Sequence, residues 1–208
     1  RSQEISSDKF AIVLGEEPYA ALESYADLMA GEIKKPVTQV VNGWCNWFYT
    51  MDVFDEEEIV HIAQAAAAQL KPYGLEYIQI DEGFQTWHGE WQGNQRFPHG
   101  LKGLCDSIKS CGLAPGIWIA PFVISENTRL HTQHPECLLK DANGQPVRIG
   151  PWPSENTDWY RNEVPKRYAL DITHPVAEQW FRDLIETIVH DWGFEMIKID
   201  FVAWTLFS

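Results

Sequence analysis

The alternation of strand-like and helix-like stretches constrains the fold of this chain more than any other feature. Four apolar runs fit β-strands, at residues 37–48, 75–81, 114–123 and 196–202. Amphipathic helix patterns separate them, at about 55–70, 101–111 and 175–192, and another such pattern begins at Pro18. Strands that alternate with helices are typical of a parallel α/β sheet, because a parallel connection has to cross the sheet through a helix.

The length of the chain decides between two kinds of parallel sheet. A closed eight-stranded barrel takes about 250 residues, and this chain of 208 residues reaches only its fourth strand before Ser208. A doubly wound sheet is the alternative, but no Gly-rich phosphate turn follows the first strand. We therefore predict the first four β/α units of a (β/α)8 TIM barrel over residues 18–208. Residues 1–17 are expected to be the end of a preceding domain or a linker.

Two connections are expected to differ from simple turns. Residues 83–99 are rich in Trp, Gly and His and are predicted to form a loop. Residues 124–168 form a connection so long that we expect it to carry small elements of its own or a function. The histidines of these loops, His88, His131 and His134, show no metal-binding spacing, and we interpret them as ordinary loop residues.

Charged residues interrupt or end two of the strands, where burial should exclude them. Lys198 and Asp200 are two positions apart, so in a strand both side chains point to one face. Asp81 and Glu82 follow the run that ends at Ile80. Catalytic and ligand-binding residues of parallel α/β proteins usually lie at the carboxyl ends of the strands, so these residues are candidates for an active or binding site. The alternative for Lys198 and Asp200 is a structural ion pair.

Composition narrows the classes of function. A formal net charge of -14 argues against nucleic acid and anionic membranes as partners. No apolar run approaches the roughly 20 residues that span a bilayer. The four cysteines form no CxxC pair and no zinc spacing, so we expect them to be reduced, with no metal and no cofactor. No signal-peptide pattern is visible at the first residues, and we expect a cytoplasmic protein.

Short motifs in a fixed order resemble one enzyme family. They are Gly43-Trp44-Cys45-Asn46-Trp47, Asp81-Glu82-Gly83-Phe84, Gly89-Glu90-Trp91, Gly116-Ile117-Trp118, Tyr168-Ala169-Leu170-Asp171 and Lys198-Ile199-Asp200. Each motif is weak alone, but their order and spacing resemble the clan D glycoside hydrolases. Within that clan the likeness is greatest to the family 36 α-galactosidases and their raffinose-synthase relatives, and it covers residues 18 to 204.

The resemblance implies a retaining α-glycosidase that hydrolyses a terminal α-galactosyl residue through a covalent glycosyl-enzyme. Asp200 matches the position of the nucleophile that attacks the anomeric carbon. Lys198 would bind sugar hydroxyls, and Asp81 with its neighbour Glu82 would hold the O4 and O6 hydroxyls that distinguish galactose. The substrate would be a small oligosaccharide, and the full-length protein is a candidate homo-oligomer.

Two tryptophans would form the walls of the sugar pocket by the same resemblance. Trp47 ends the first motif and Trp118 lies in the third predicted strand. The alternative for each is a place in the core of the barrel, where buried tryptophan is common.

Some positions depart from the family pattern. The second acid of the Asp-Asp pair is Glu82 here, one methylene longer, which affects the expected preference for galactose. The family's acid/base carboxyl would lie beyond Ser208, so the 208-residue chain alone is expected to be inactive. Two other functions remain open: a raffinose-synthase-like α-galactosyl transferase, in which a sugar replaces water, and a carbohydrate-binding pseudoenzyme.

Overall fold

The computed structural model describes residues 10–32, 40–150 and 165–203. Contacts between residues divide the chain into two compact units, residues 1–40 and 41–208. The first unit contains helix α1, Pro18–Glu32, and none of the residues of this helix is buried. The boundary expected from the sequence, between residues 17 and 18, precedes this helix, and the assignment of the helix to a catalytic domain stays a prediction.

The second unit contains the remaining helices and strands. The helices are α2 Trp47–Thr50, α3 Glu56–Gln69, α4 Gly100–Ser110, α5 Arg129–Gln133 and α6 Pro175–Glu186. The strands are β1 Gly43–Cys45, β2 Tyr77–Ile80, β3 Gln85–Trp87, β4 Glu90–Gly93, β5 Ala114–Ile119, β6 Val123–Ser125, β7 Arg148–Ile149, β8 Arg167–Ala169 and β9 Met196–Ile199.

A parallel sheet of four strands is the centre of the second unit. Its order is β1-β2-β5-β9, which is also the order of these strands along the chain. All three pairings are parallel, and in register Trp44 lies beside Ile78 and Trp118 beside Lys198. The expectation of an α/β fold with adjacent parallel strands is confirmed. Strands that follow one another in a chain usually lie side by side in a sheet, which explains why chain order and sheet order agree.

Helices α3, α4 and α6 form at the three stretches where the sequence shows a helical apolar period. Asp55 caps α3 as its spacing to Glu58 predicts, because its carboxylate accepts the N–H of Glu58 at 2.9 Å. Helix α6 begins at Pro175 and continues as a π-helical segment, Thr187–Trp192, which ends at Gly193 in a left-handed conformation. Their apolar sides pack on the sheet, whose own core residues include Ile80 and Ile117.

The first strand is shorter than the prediction of residues 37–48. It ends at Cys45, and residues 47–50 form the short helix α2 instead. Asn46 causes this change, because its amide Nδ2 donates to the carbonyl of Met51 at 2.9 Å and closes the chain into a turn. Residues 37–39, the start of the predicted strand, lie outside the described residues.

The prediction of a loop over residues 83–99 is wrong in part, because β3 and β4 form an antiparallel hairpin there. Gly89 turns the hairpin with a φ of 96°, and a Cβ at this position would lie 3.0 Å from Ile124 Cδ1.

The expectation that the long connection over residues 124–168 carries small elements is confirmed for its described part. It contains α5 and the antiparallel sheet β6-β8-β7, while residues 151–164 lie outside the described residues.

Candidate active site

Lys198 joins two carboxylates that follow different strands of the parallel sheet. Asp81 follows β2 and Asp200 follows β9, so both lie at the carboxyl ends of their strands. Lys198 Nζ lies 2.9 Å from Asp81 Oδ2 and 3.7 Å from Asp200 Oδ2. The structure therefore brings together three of the residues that the sequence singled out. Asp81, not Asp200, is the closer partner of Lys198. The expected Lys198–Asp200 ion pair is therefore the longer of two contacts by which Lys198 bridges β2 and β9.

Asp81 is the most firmly held group of this cluster. Its side chain is only 3% exposed, and its Oδ2 also accepts a hydrogen bond from Gln79 Nε2 at 2.9 Å. Cys45 Sγ donates to the same oxygen at 3.4 Å, and the backbone N–H of Asp81 donates to Asn46 Oδ1 at 2.7 Å. A buried carboxylate needs such partners, because an unpaired buried charge is strongly unfavourable.

Asp200 is more open than Asp81, with a side chain that is 39% exposed. Trp118 Nε1 donates to its Oδ2 at 3.0 Å, and the N–H of Phe201 donates to its Oδ1 at 2.8 Å. Phe201 has a φ of 55°, which is a strained conformation for a bulky residue. Both carboxylate oxygens are thus oriented by donors, while one side of the group faces outward.

The ammonium of Lys198 is kept charged by these neighbours. Burial by itself lowers the pKa of Lys198, but the hydrogen bond and charge of Asp81, with the charge of Asp200, outweigh it and raise that pKa above the ordinary value. A cation fixed between two carboxylates cancels most of their mutual repulsion. The cluster therefore places a cation between the carboxyl groups of Asp81 and Asp200.

Gly83 makes the turn that follows Asp81 and Glu82. Its φ is 119°, and a Cβ at this position would lie 2.5 Å from the carbonyl oxygen of Asp52. Only glycine combines this backbone conformation with so close an approach of another backbone. The turn fixes the direction in which the two preceding acids leave the strand.

Glu82 lies in a second, separate group of charged residues. Its Oε1 lies 3.2 Å from Nε2 of His88, whose side chain is completely buried, while the side chain of Glu82 is 14% exposed. Arg167 on β8 is also buried and is attracted electrostatically by Glu82. Burial lowers the pKa of Arg167 to about 10, so the guanidinium remains a cation at neutral pH.

The two predicted wall tryptophans have different environments. Trp118 is 1% exposed and its ring contacts those of His88, Trp91 and Phe201 at centroid distances of 5.9, 5.8 and 5.9 Å. It therefore belongs to the core and also touches Asp200 through its N–H. Trp47 is half-buried at the start of α2, and its indole makes no hydrogen bond or ring contact with the other described residues.

Sequence reasoning missed several residues that support this cluster. Gln79 gave no signal beyond its place in a strand, although alternation along β2 puts it on the same face as Asp81. Asn46 appeared in the first motif but was given no role. His88 was interpreted as an ordinary loop residue, yet it is buried against the candidate site. His134 fits that interpretation, since its side chain is 43% exposed and, among the described residues, its ring bonds only Glu136, two residues further along the chain.

The described residues contain no group of three or more His, Cys, Asp or Glu side chains arranged to hold a metal ion. Among the same residues, no helix combines the length and the apolar character needed to cross a bilayer. Cys45, Cys105, Cys111 and Cys137 form no disulfide with one another. What the cluster itself offers is a partly exposed carboxylate with oriented oxygens beside a fixed cation, which suits nucleophilic attack or hydrogen bonding to a polar ligand.

Comparison with known proteins gives consistent likenesses. A family model described as Melibiase matches residues 28–204. An α-galactosidase of Geobacillus stearothermophilus, AgaA, is 36% identical over 109 residues, which are 47% of this chain and 14% of that protein. An A type blood α-D-galactosamine galactosaminidase of Flavonifractor plautii is 31% identical over 142 residues, 66% of this chain and 12% of that protein.

Solved structures agree with the family match. TtGalA, an α-galactosidase from Thermus thermophilus in complex with stachyose, aligns with a TM-score of 0.72 and 29% identity, over 88% of this chain and 36% of that one. AgaA A355E in complex with 1-deoxygalactonojirimycin aligns with a TM-score of 0.60 and 25% identity, over 78% of this chain and 21% of that one. This chain thus spans about a third or less of the length of these relatives.

Proposed function

This chain belongs to the Melibiase family, and from that premise we propose that it carries the nucleophile and part of the sugar pocket of a retaining α-galactosidase. Two of the relatives named above are α-galactosidases, and one of them, AgaA, is described as a family 36 enzyme. The observation that carries the proposal is the Lys198 bridge between Asp81 and Asp200 at the carboxyl ends of β2 and β9. These strands would be the second and fourth of a (β/α)8 barrel.

Asp200 is the nucleophile in this proposal. Its oxygen attacks the anomeric carbon while the bond from that carbon to the leaving-group oxygen breaks, and the result is a glycosyl ester of Asp200. Water then attacks the same carbon, the ester bond breaks, and the sugar leaves with its original configuration. The donors Trp118 and Phe201 support this role, because they fix both oxygens and leave the group open on one side.

The proton for the leaving group must come from a second carboxyl group. Asp81 is unsuited, since its buried carboxylate already accepts hydrogen bonds from Cys45, Gln79, the N–H of Glu82 and the Lys198 ammonium, so its oxygens are occupied. We propose that the acid/base residue is supplied by a part of the gene product beyond these 208 residues. The two carboxyls of a retaining enzyme are about 5–5.5 Å apart, which places the missing group close to Asp200.

The sugar would be held by the groups that surround the nucleophile. Lys198 and Asp81 present a cation and an anion to hydroxyl groups, and Glu82 adds a second anion beside Asp81. Trp118 would contribute its edge to the pocket wall, and Trp47 stays a candidate for a wall residue on the opposite side. The structures of relatives with stachyose and 1-deoxygalactonojirimycin support a galactose-containing oligosaccharide as substrate.

The test uses the complete gene product and p-nitrophenyl α-D-galactopyranoside, which is bound in a structure of TtGalA. Asp200→Gly is expected to lower kcat by about 10⁴-fold or more, because the covalent route is lost. Added azide is expected to restore turnover and yield the β-galactosyl azide, since azide occupies the space of the missing carboxylate. The matched control is Asp106→Asn, which removes an exposed carboxylate paired with Lys102 and should leave kcat unchanged.

The outcomes also separate the alternatives. A product that appears only when a sugar acceptor is added would favour the transferase. Binding of 1-deoxygalactonojirimycin without any turnover would favour the carbohydrate-binding pseudoenzyme. An Asp200→Gly variant that keeps most of its activity would remove Asp200 from the mechanism.

A further inference from the structure

His88 has an environment that an ordinary hairpin residue does not need. It lies in the turn between β3 and β4, where side chains are usually exposed, yet its side chain is completely buried. Its ring packs edge-on against Trp118 and Trp91, with centroid distances of 5.9 and 6.1 Å. Its Nε2 lies 3.2 Å from Glu82 Oε1. A buried polar ring in an aromatic cage is thus aimed at an acid of the candidate sugar pocket.

The backbone around His88 is fixed as firmly as the ring. The N–H of Ser125 on β6 donates to the carbonyl of His88 at 2.9 Å. The adjacent Gly89 approaches Ile124 so closely that a Cβ would lie 3.0 Å from Cδ1. The hairpin turn therefore has little freedom to retreat from β6, and the imidazole keeps its position relative to the end of β2.

The surroundings of His88 favour a neutral imidazole. Arg167 on β8 pairs in register with Ser125 on β6, so β8 brings a buried cation to the same group. Burial lowers the pKa of His88, and the charge of Arg167 adds to that effect, although Glu82 opposes it. A neutral imidazole has one N–H. We assign that proton to Nε2 because this atom lies 3.2 Å from an acceptor, Glu82 Oε1.

The carboxylate of Glu82 is engaged on one side only. Oε1 contacts His88, whereas Oε2 makes no hydrogen bond with any residue in the described part of the chain. The side chain has one more rotatable bond than aspartate, so an unsupported Glu82 would lose more rotamer freedom when a ligand binds. A partner that holds Oε1 in advance removes that cost.

Resting on the function proposed above, we propose that His88 is a positioning residue that fixes Glu82 so that its second oxygen accepts a hydrogen bond from a hydroxyl of the bound hexose. The longer acid thereby becomes a specificity-determining residue, and its reach is set by the hairpin that carries His88. The partner recognised is one hydroxyl group at the O4/O6 end of the sugar. Neither residue takes part in bond breaking, so their effect is on substrate binding.

The test compares two variants of the complete gene product. In His88→Gln the amide nitrogen stands near the position of Nε2, whereas in His88→Asn it stands near Nδ1 and cannot reach Glu82. Each is assayed on p-nitrophenyl α-galactoside and on its 4-deoxy and 6-deoxy analogues. A site that pairs with a hydroxyl rejects the analogue that lacks it, so the wild-type protein should show a loss in kcat/KM of about tenfold or more for one analogue.

We expect His88→Gln to keep this discrimination and His88→Asn to lose most of it. In His88→Asn the KM for the parent substrate should rise about tenfold while kcat stays within about threefold, because binding and not chemistry is affected. The matched control is His99→Gln, whose amide nitrogen stands near Nε2 and which therefore removes another His–Glu contact, that of His99 Nδ1 with Glu56 at 2.9 Å; it should change neither constant.

The proposal is overturned if both variants discriminate as the wild type does, or if His88→Asn lowers kcat/KM equally for all three substrates. A wild-type protein that hydrolyses none of them refutes the proposed function instead. A second measurement needs no variant and no turnover: with ¹⁵N-labelled histidine, NMR should find the His88 proton on Nε2. A proton on Nδ1 alone would exclude the contact with Glu82 as a hydrogen bond, and the positioning role with it.

Discussion

Replacing Lys198 with methionine tests how far the bridge holds the candidate site together. The variant keeps an aliphatic chain of similar length but leaves Asp81, with a side chain only 3% exposed, without its 2.9 Å contact to an ammonium. A hydrogen bond to a charged group contributes about 1.5–3 kcal/mol. The side chain of Lys198 is 40% exposed, so solvent screening reduces this to about 1–2 kcal/mol.

Thermal unfolding followed by near-UV circular dichroism measures this loss. For a domain of 150–250 residues, 1 kcal/mol shifts the midpoint by about 2–4 °C, so Lys198→Met should unfold about 2–8 °C earlier. In a background of Asp81→Asn the same change should cost much less, because the buried charge that needs the ammonium is gone. Lys102→Met serves as control, since its contact with Asp106 is exposed and should leave the midpoint unchanged.

The pH dependence of the Lys198→Met effect has a definite sign. The pKa of Lys198 is raised above its ordinary value of about 10.4. A raised pKa in the folded state stabilises the protein fully below the ordinary value and loses that effect as the pH rises through the folded value. The difference between wild type and variant should stay constant from pH 7 to 9 and shrink above about pH 10.4. Equal costs of Lys198→Met with and without the Asp81 carboxylate would refute the bridge.

Three further predictions concern other parts of the site and the sheet. Trp118→Phe keeps a ring but loses the 3.0 Å hydrogen bond to Asp200. Single-turnover kinetics should therefore show a rate of glycosylation of the enzyme about 10–100-fold lower than that of the wild type. An unchanged rate contradicts the role of this donor. In a denaturation assay, Gly83→Ala should lower the free energy of unfolding by more than about 2 kcal/mol, because its Cβ would lie 2.5 Å from the carbonyl oxygen of Asp52. The control Gly144→Ala meets no atom within 4 Å and should cost less in the same assay. The 208-residue chain expressed by itself should associate in size-exclusion chromatography, because the described sheet leaves β1 and β9 with one pairing each; a monomer that melts cooperatively would contradict this.

The sequence predicts the sheet well because the signal for it is local. Each parallel strand shows an apolar run, each connecting helix shows its own period, and the Asp55 cap lies three residues from its partner. Asp81 and Asp200 were found for the same reason, since each stands at the end of a strand. The rule that connections do not cross then gives the order of the strands.

The contacts between residues of the candidate site are harder to predict from local sequence patterns. Lys198 and Asp81 are 117 residues apart in the chain, and pattern alone pairs Lys198 with its sequence neighbour Asp200. The burial of His88 depends on the hairpin β3-β4, whose strands are too short to show a clear alternation. Helix α2 depends on the side chain of Asn46, a local hydrogen bond that competes with the strand.

The identity of the nucleophile is tested most directly by trapping the covalent intermediate. A fluorinated α-galactosyl fluoride slows both steps, because fluorine beside the reacting centre disfavours the oxocarbenium-like transition state, while the fluoride leaving group lets the first step proceed. After incubation with the complete gene product, proteolysis and mass spectrometry locate the label. The account predicts one fluorogalactosyl group on the peptide that contains Asp200, fragmenting to that residue. A label on Asp81 or on another carboxylate, or turnover of the reagent with no label at all, would contradict it.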